Sequence, residues 1–141
     1  MKRFGVVAAL LVSLSPFVIA APQQQHAPTA PGATETTARD LHSQLAGQSR
    51  TLVIDVRTPE EYAKGHIPEA INIPIDELTG KLQQLQVSKD RPIVTVCDRG
   101  GRSSRAALLL QRMGYQATSF CRLESWEKHG YKVSKGNSNA P

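Results

Sequence analysis

Between residues 51 and 134 the apolar positions fall into short dense runs separated by amphipathic stretches. Residues 51–56 hold Leu52, Val53, Ile54 and Val56, and residues 91–97 hold Ile93, Val94, Val96 and Cys97 behind Pro92. Both runs are short and rich in β-branched residues, which suits strands buried on both faces. Residues 70–73 and 117–120 read as two further, weaker strands. The stretches between them have helical spacing. Thr58-Pro59-Glu60-Glu61 supplies a cap, a proline for the first helical position and an acidic first turn. Leu78, Leu82 and Leu85 recur across 76–86. Ala106, Leu109, Leu110 and Met113 form an apolar stripe on a helix expected to begin at Ser103 or Ser104, with Gly114 as its left-handed stop. Strands alternating with short helices predict an α/β fold with a parallel central sheet and helices on both faces. Ligands of such sheets bind beyond the carboxyl ends of the strands.

The two ends of the chain read differently. Met1-Lys2-Arg3 is followed by residues 4–20, which carry no charge, and Val18 and Ala20 stand where a signal peptidase requires small residues. Residues 1–20 are therefore expected to be a signal peptide that exports the protein to the periplasm, with no stable membrane association after cleavage. Pro16 interrupts the apolar run, which argues against a membrane-spanning helix. Residues 21–35 are Pro-, Gln- and Ala-rich and read as a flexible linker. Residues 36–134 form the expected domain, and 135–141 read as a frayed tail.

Composition narrows the chemistry. The chain has 141 residues, a formal net charge of +5 and two cysteines. Two cysteines cannot build a disulfide scaffold or a four-cysteine zinc site. Removing Lys2 and Arg3 leaves 15 basic against 12 acidic residues, so part of the basicity belongs to targeting. The remaining basic residues lack the interleaved aromatics of a nucleic-acid surface, and no nucleic-acid partner is expected. His26, His42 and His129 are scattered, with no metal-ligand spacing, and no metal site is expected.

One place concentrates chemistry. Cys97 closes the second dense run and opens Asp98-Arg99-Gly100-Gly101-Arg102, after which Ser103 leads into the expected helix. A sulfur at a strand end that faces a helix N-terminus meets unpaired backbone N–H groups and the positive end of the dipole. Arg99 and Arg102 add fixed positive charge, and both features favour the anionic, nucleophilic form of the sulfur. Gly100 and Gly101 let the backbone curl so that successive amides point inward. Asp98 opposes this trend and is expected to point outward. Cysteine phosphatases carry a C-x5-R loop, whereas here Ser103 holds the arginine position and Arg102 stands one residue earlier. The tighter ring of amides suits one added sulfur atom better than a phosphoryl group.

Asp55-Val56-Arg57-Thr58-Pro59-Glu60-Glu61-Tyr62, followed by the run from Gly65-His66-Ile67-Pro68 to Asn72-Ile73-Pro74, resembles the N-terminal signature of the rhodanese family. The loop from Cys97 to Arg102 is similar to that family's active-site loop. Leu123-Glu124-Ser125-Trp126 and Gly130-Tyr131-Lys132-Val133 resemble its closing segment. The resemblance spans roughly residues 36–134. It implies a single rhodanese-like domain acting as a sulfurtransferase, with Cys97 as nucleophile and no cofactor. Cys97 would take sulfane sulfur from a small anionic donor such as thiosulfate and pass it, as a persulfide, to a thiol or cyanide. The loop amides of Asp98 to Ser103 would steady the persulfide, and Arg99 and Arg102 would orient the donor, unless Arg102 braces the loop instead. Asp55 and Arg57 are expected to support the site as a structural polar pair, with His66 a hydrogen-bonded turn residue and Trp126 in the core.

The chain departs from the family pattern where two glycines commonly precede the tryptophan helix, for Cys121 and Arg122 stand there. Cys121 is either a buried filler or a second thiol close enough to Cys97 to form a disulfide or receive its sulfur. Arg122 is either a solvated rim charge or a third cation for the donor. A thiol–disulfide or redox-sensing protein using both cysteines, and a non-catalytic binding module on the same fold, stand as alternatives. Oligomeric state is not legible in the chain.

Overall fold

The computed structural model describes residues 32–116 and 119–136. The expected signal peptide, residues 21–31 of the linker, the tail from 137 and the first two residues of the strand expected over 117–120 lie outside the described residues. Ten elements follow one another: β1 (Thr34–Glu35), α1 (Ala38–Ala46), β2 (Leu52–Asp55), α2 (Pro59–Lys64), β3 (Ile71–Asn72), α3 (Leu78–Gln84), β4 (Ile93–Cys97), α4 (Gly101–Arg112), β5 (Ser119–Arg122) and α5 (Leu123–Lys128). The five strands form one sheet in the order β1-β5-β4-β2-β3, and every pairing is parallel. β2 and β4, the two densest apolar runs, lie next to each other near the middle, where both faces are covered.

Alternation along those strands feeds two cores. Val53, Val94, Val96 and Cys121 pack under α1, α2 and α5 with Leu41, Tyr62, Leu123 and Trp126. Leu52, Ile54, Ile93 and Cys97 pack under α3 and α4 with Leu78, Leu82, Ala106 and Leu110. Thr95 is a buried polar residue in β4, and its hydroxyl donates to the Ser103 carbonyl at 2.7 Å, which fastens the first turn of α4 to the sheet.

Several boundaries differ from the sequence reading. β1 takes Thr34 and Glu35 from the stretch read as linker, and α1 follows Thr37, whose side-chain oxygen accepts from the Asp40 amide at 3.1 Å. α3 ends at Gln84, so Leu85 leaves the expected stripe and is half exposed. α4 begins at Gly101, before Ser103, because Gly100 turns the chain with φ +97° and its carbonyl accepts the Ser104 amide at 2.9 Å. β5 runs on through Cys121 and Arg122.

Candidate functional site

The carboxyl ends of β2 and β4, the first turn of α2 and the start of α4 meet around one sulfur. Cys97 is buried as the last residue of β4. Its Sγ accepts the backbone N–H of Gly100 at 3.2 Å and that of Ser103 at 3.4 Å, and Ser103 Oγ lies 3.3 Å away. The Ser103 hydroxyl also lies 3.2 Å from the Gly100 carbonyl, so its single proton serves either that oxygen or the sulfur. This arrangement needs the left-handed backbone of Gly100. A Cβ there would sit 3.0 Å from the Phe120 ring and 3.4 Å from Arg122 Cγ. Gly101 differs from the expectation of two curling glycines: it is the first residue of α4, with open space where a Cβ would stand.

Asp98, expected to point outward, is partly exposed and held in ion pairs. Its carboxylate accepts from Arg57 Nη1 at 3.0 Å and Arg102 Nη2 at 3.2 Å while remaining 45% exposed. Arg57 is buried and holds Asp55 through Nε and Nη2, the latter at 2.7 Å, and also donates to the Gly65 carbonyl at 2.6 Å. Burial works to lower the Arg57 pKa, but the hydrogen bonds and charge of Asp55, aided by Asp98, outweigh it and leave the value raised. Arg102 places both terminal nitrogens on the Glu61 carboxylate at 2.7 Å each. Glu61 also receives the Thr58 amide at 2.9 Å in a capping box, and the Arg102 hydrogen bonds hold its carboxyl at about 2, well below the ordinary 4.5. A continuous chain of charges therefore runs from Asp55 through Arg57, Asp98 and Arg102 to Glu61. Arg102 is a brace for the loop.

Glu61 is a site residue that sequence reading missed as such. Its position three residues after Thr58 marked only a helix start, and its partner lies 41 residues away. Arg105 was also missed. With Cys97, Asp98, Arg99, Gly101 and Arg102 it lines an open cleft of about 520 Å³.

Cys121 faces away from the sulfur, whereas Arg122 pairs with Cys97 across the ladder and lies on the sulfur's side of the sheet. Cys121 pairs with Val96 across the ladder, and both side chains enter the core under α1 and α5, whereas Cys97 faces α4. Both cysteines are free thiols, and burial pushes the Cys121 thiol up to about 11. Of the two readings of Cys121, register favours the buried filler over a neighbouring second thiol, because successive side chains of a strand point to opposite faces. Arg122 runs past Gly100 and ends on Glu35 of β1 at 2.6 Å. His66 is buried in its turn, its Nδ1 2.9 Å from the Tyr62 carbonyl and its ring stacked on Tyr62. Trp126 is core, and its indole N–H donates to the Lys132 carbonyl at 2.9 Å.

A rhodanese-like domain model matches residues 37–128, which takes in the whole network from Asp55 to Arg102. The chain belongs to the rhodanese-like family. Among its relatives, a sulfurtransferase of Allochromatium vinosum is 32% identical over 101 residues, covering 70% of this chain and 92% of the relative. Human thiosulfate:glutathione sulfurtransferase is 36% identical over 96 residues, covering 60% and 83%. A rhodanese-related protein from Thermoplasma volcanium shares the fold with a TM-score of 0.62 and 31% identity, covering 72% of this chain and 97% of that one. Membership in the family, with sulfurtransferases among the relatives, supports a role in sulfur transfer.

Proposed function

We propose that this protein is a sulfurtransferase that carries sulfane sulfur on Cys97 from a small anionic donor such as thiosulfate to a thiol. The observation that carries the reading is the convergence of the Gly100 and Ser103 amides on Cys97 Sγ at the floor of a cleft lined by arginines. The sulfur, as thiolate, attacks the outer sulfur of thiosulfate. A new S–S bond forms, the donor's own S–S bond breaks, and sulfite leaves with the bonding pair. The added sulfur then occupies the cleft as a persulfide, a covalent intermediate that splits the transfer into two steps. Amides already aimed at Sγ stabilise the charge without rearrangement. An acceptor thiolate then attacks the outer sulfur and the electron pair returns to Cys97. The residues use no cofactor for either step.

Residues 1–20 support placing this activity in the periplasm, and cell fractionation tests that part of the reading. The chemistry is tested with thiosulfate and cyanide, alongside mass spectrometry of the Cys97 peptide for a gain of about 32 Da, one sulfur atom. Activity and adduct are expected in the wild type and neither in Cys97→Ser. Turnover that survives Cys97→Ser would overturn the mechanism, and a partner-binding module without chemistry would show neither signal in the wild type. Redox pairing of Cys97 with Cys121 finds no support in side chains held in opposite cores.

A further inference from the structure

Among the described residues, Cys97 Sγ is met by the backbone amides of Gly100 and Ser103 and by the Ser103 hydroxyl at 3.3 Å. The amides are fixed donors. The hydroxyl is not, because the Gly100 carbonyl stands 3.2 Å from it as a second acceptor and it has one proton to give. That carbonyl does not depend on Ser103, since it also takes the Ser104 amide at 2.9 Å. The proton can therefore turn to the sulfur without leaving a buried oxygen unpaired.

The surroundings hold Ser103 in place for this turn. Ser103 is fully buried, and its own carbonyl accepts the Thr95 hydroxyl at 2.7 Å, which fixes the helical turn that carries Oγ. The neighbouring Ser104 hydroxyl is exposed and lies on the Gly101 carbonyl at 3.2 Å, away from the sulfur.

The charge on Sγ changes as sulfur is transferred. As a thiolate, Sγ has no proton and can only accept, so the Ser103 hydroxyl donates to it. Once a second sulfur is attached, Sγ is a neutral bridging atom, and the Gly100 carbonyl becomes the better acceptor. The hydroxyl contact with Sγ is thus given up during loading and regained during discharge. Hydrogen bonds to an ionised acceptor are roughly twice as strong as neutral ones. A stabilised thiolate leaves faster and attacks more slowly.

Resting on the Cys97 persulfide reading, we propose that the Ser103 hydroxyl is a catalytic group for discharge, turning from the Gly100 carbonyl to Sγ and making Cys97 a better leaving group. In that step the acceptor bonds to the outer sulfur, the S–S bond to Cys97 breaks, and its electron pair goes to Sγ. The Ser103 proton stays on Oγ and points at the new charge. The two amides serve both halves of the cycle, and the hydroxyl serves one.

The test uses the full chain and separates the halves, each on the plateau of its pH profile. Loading by thiosulfate is followed through the mass gain on Cys97, and discharge of the loaded protein by cyanide through thiocyanate release. In Ser103→Ala, discharge is expected to slow by about tenfold, within the reach of one hydrogen bond to a charged group, while loading keeps its rate or rises. Equal slowing of both halves would assign the effect to a disturbed loop and overturn the proposal, as would unchanged discharge. The wild type supplies a second readout that does not depend on the variant's fold. The Ser103 hydroxyl proton should resonate further downfield in the thiolate form than in the persulfide form, and one position for both would overturn the proposal. Absence of any adduct on wild-type Cys97 would instead overturn the sulfur-transfer reading, and this one with it.

Discussion

Arg102 grips both carboxylate oxygens of Glu61 at 2.7 Å and so ties the loop after Cys97 to the first turn of α2. The pair is about one-third exposed, and such partly solvated pairs add about 0–1 kcal/mol to stability. Its effect is expected in loop order. Glu61→Gln should lower sulfur loading of Cys97 severalfold while leaving the denaturation midpoint nearly unchanged, as stopped-flow kinetics and urea unfolding would show.

The same pair sets a pH dependence. Glu61 is held at about 2 in the folded protein, below its ordinary 4.5. Its contribution is therefore complete above about pH 4.5 and is lost as pH falls toward 2. Carboxyl NMR titration should find the Glu61 midpoint near 2, and Arg102→Gln should move it upward toward 4.5.

Arg57 is the buried member of the network, with Asp55 fully buried against it. Replacing Arg57 by Met leaves a carboxylate in the interior without its cation, and breaking a buried pair costs about 3–5 kcal/mol. Urea denaturation should show a loss of that size, larger than that of any substitution at Glu61.

The two adjacent glycines should respond in opposite directions. Gly100→Ala forces a side chain into left-handed backbone and against Phe120, at a cost of about 1–2 kcal/mol from conformation alone, and slows loading by moving an amide that touches Sγ. Gly101→Ala meets open space at the start of α4 and should be neutral or stabilising by up to about 1 kcal/mol. Thermal unfolding of the two variants distinguishes them.

Thiol chemistry should be single-site. Cys121 lies in the core with its thiol raised to about 11, whereas Cys97 lines the cleft. Iodoacetamide should modify Cys97 alone in the folded protein. Cys121→Ala should retain sulfur transfer and lose about 1 kcal/mol of stability. Peptide mapping after alkylation checks the first expectation.

Local physics made much of this legible in the chain. β2 and β4 announce themselves by short runs rich in β-branched residues, α2 by its capping box, and the site by a cysteine followed by glycines and arginines. What the chain hides depends on distance or on register. β1 is two residues long and too short to show a period, so only its pairing with β5 defines it. The Glu61–Arg102 contact joins segments far apart in sequence. The face taken by Cys121 turns on a one-residue register that composition cannot supply.

Thr34 and Glu35 precede the family match, yet they cover the outer edge of β5, and Glu35 receives Arg122 there. A domain trimmed to its family boundaries would bare the edge of β5 at Ser119 and Phe120, the usual template for pairing between molecules. Those few polar residues act as a guard against self-association, so the shortest well-behaved form of this protein begins upstream of its recognisable family region.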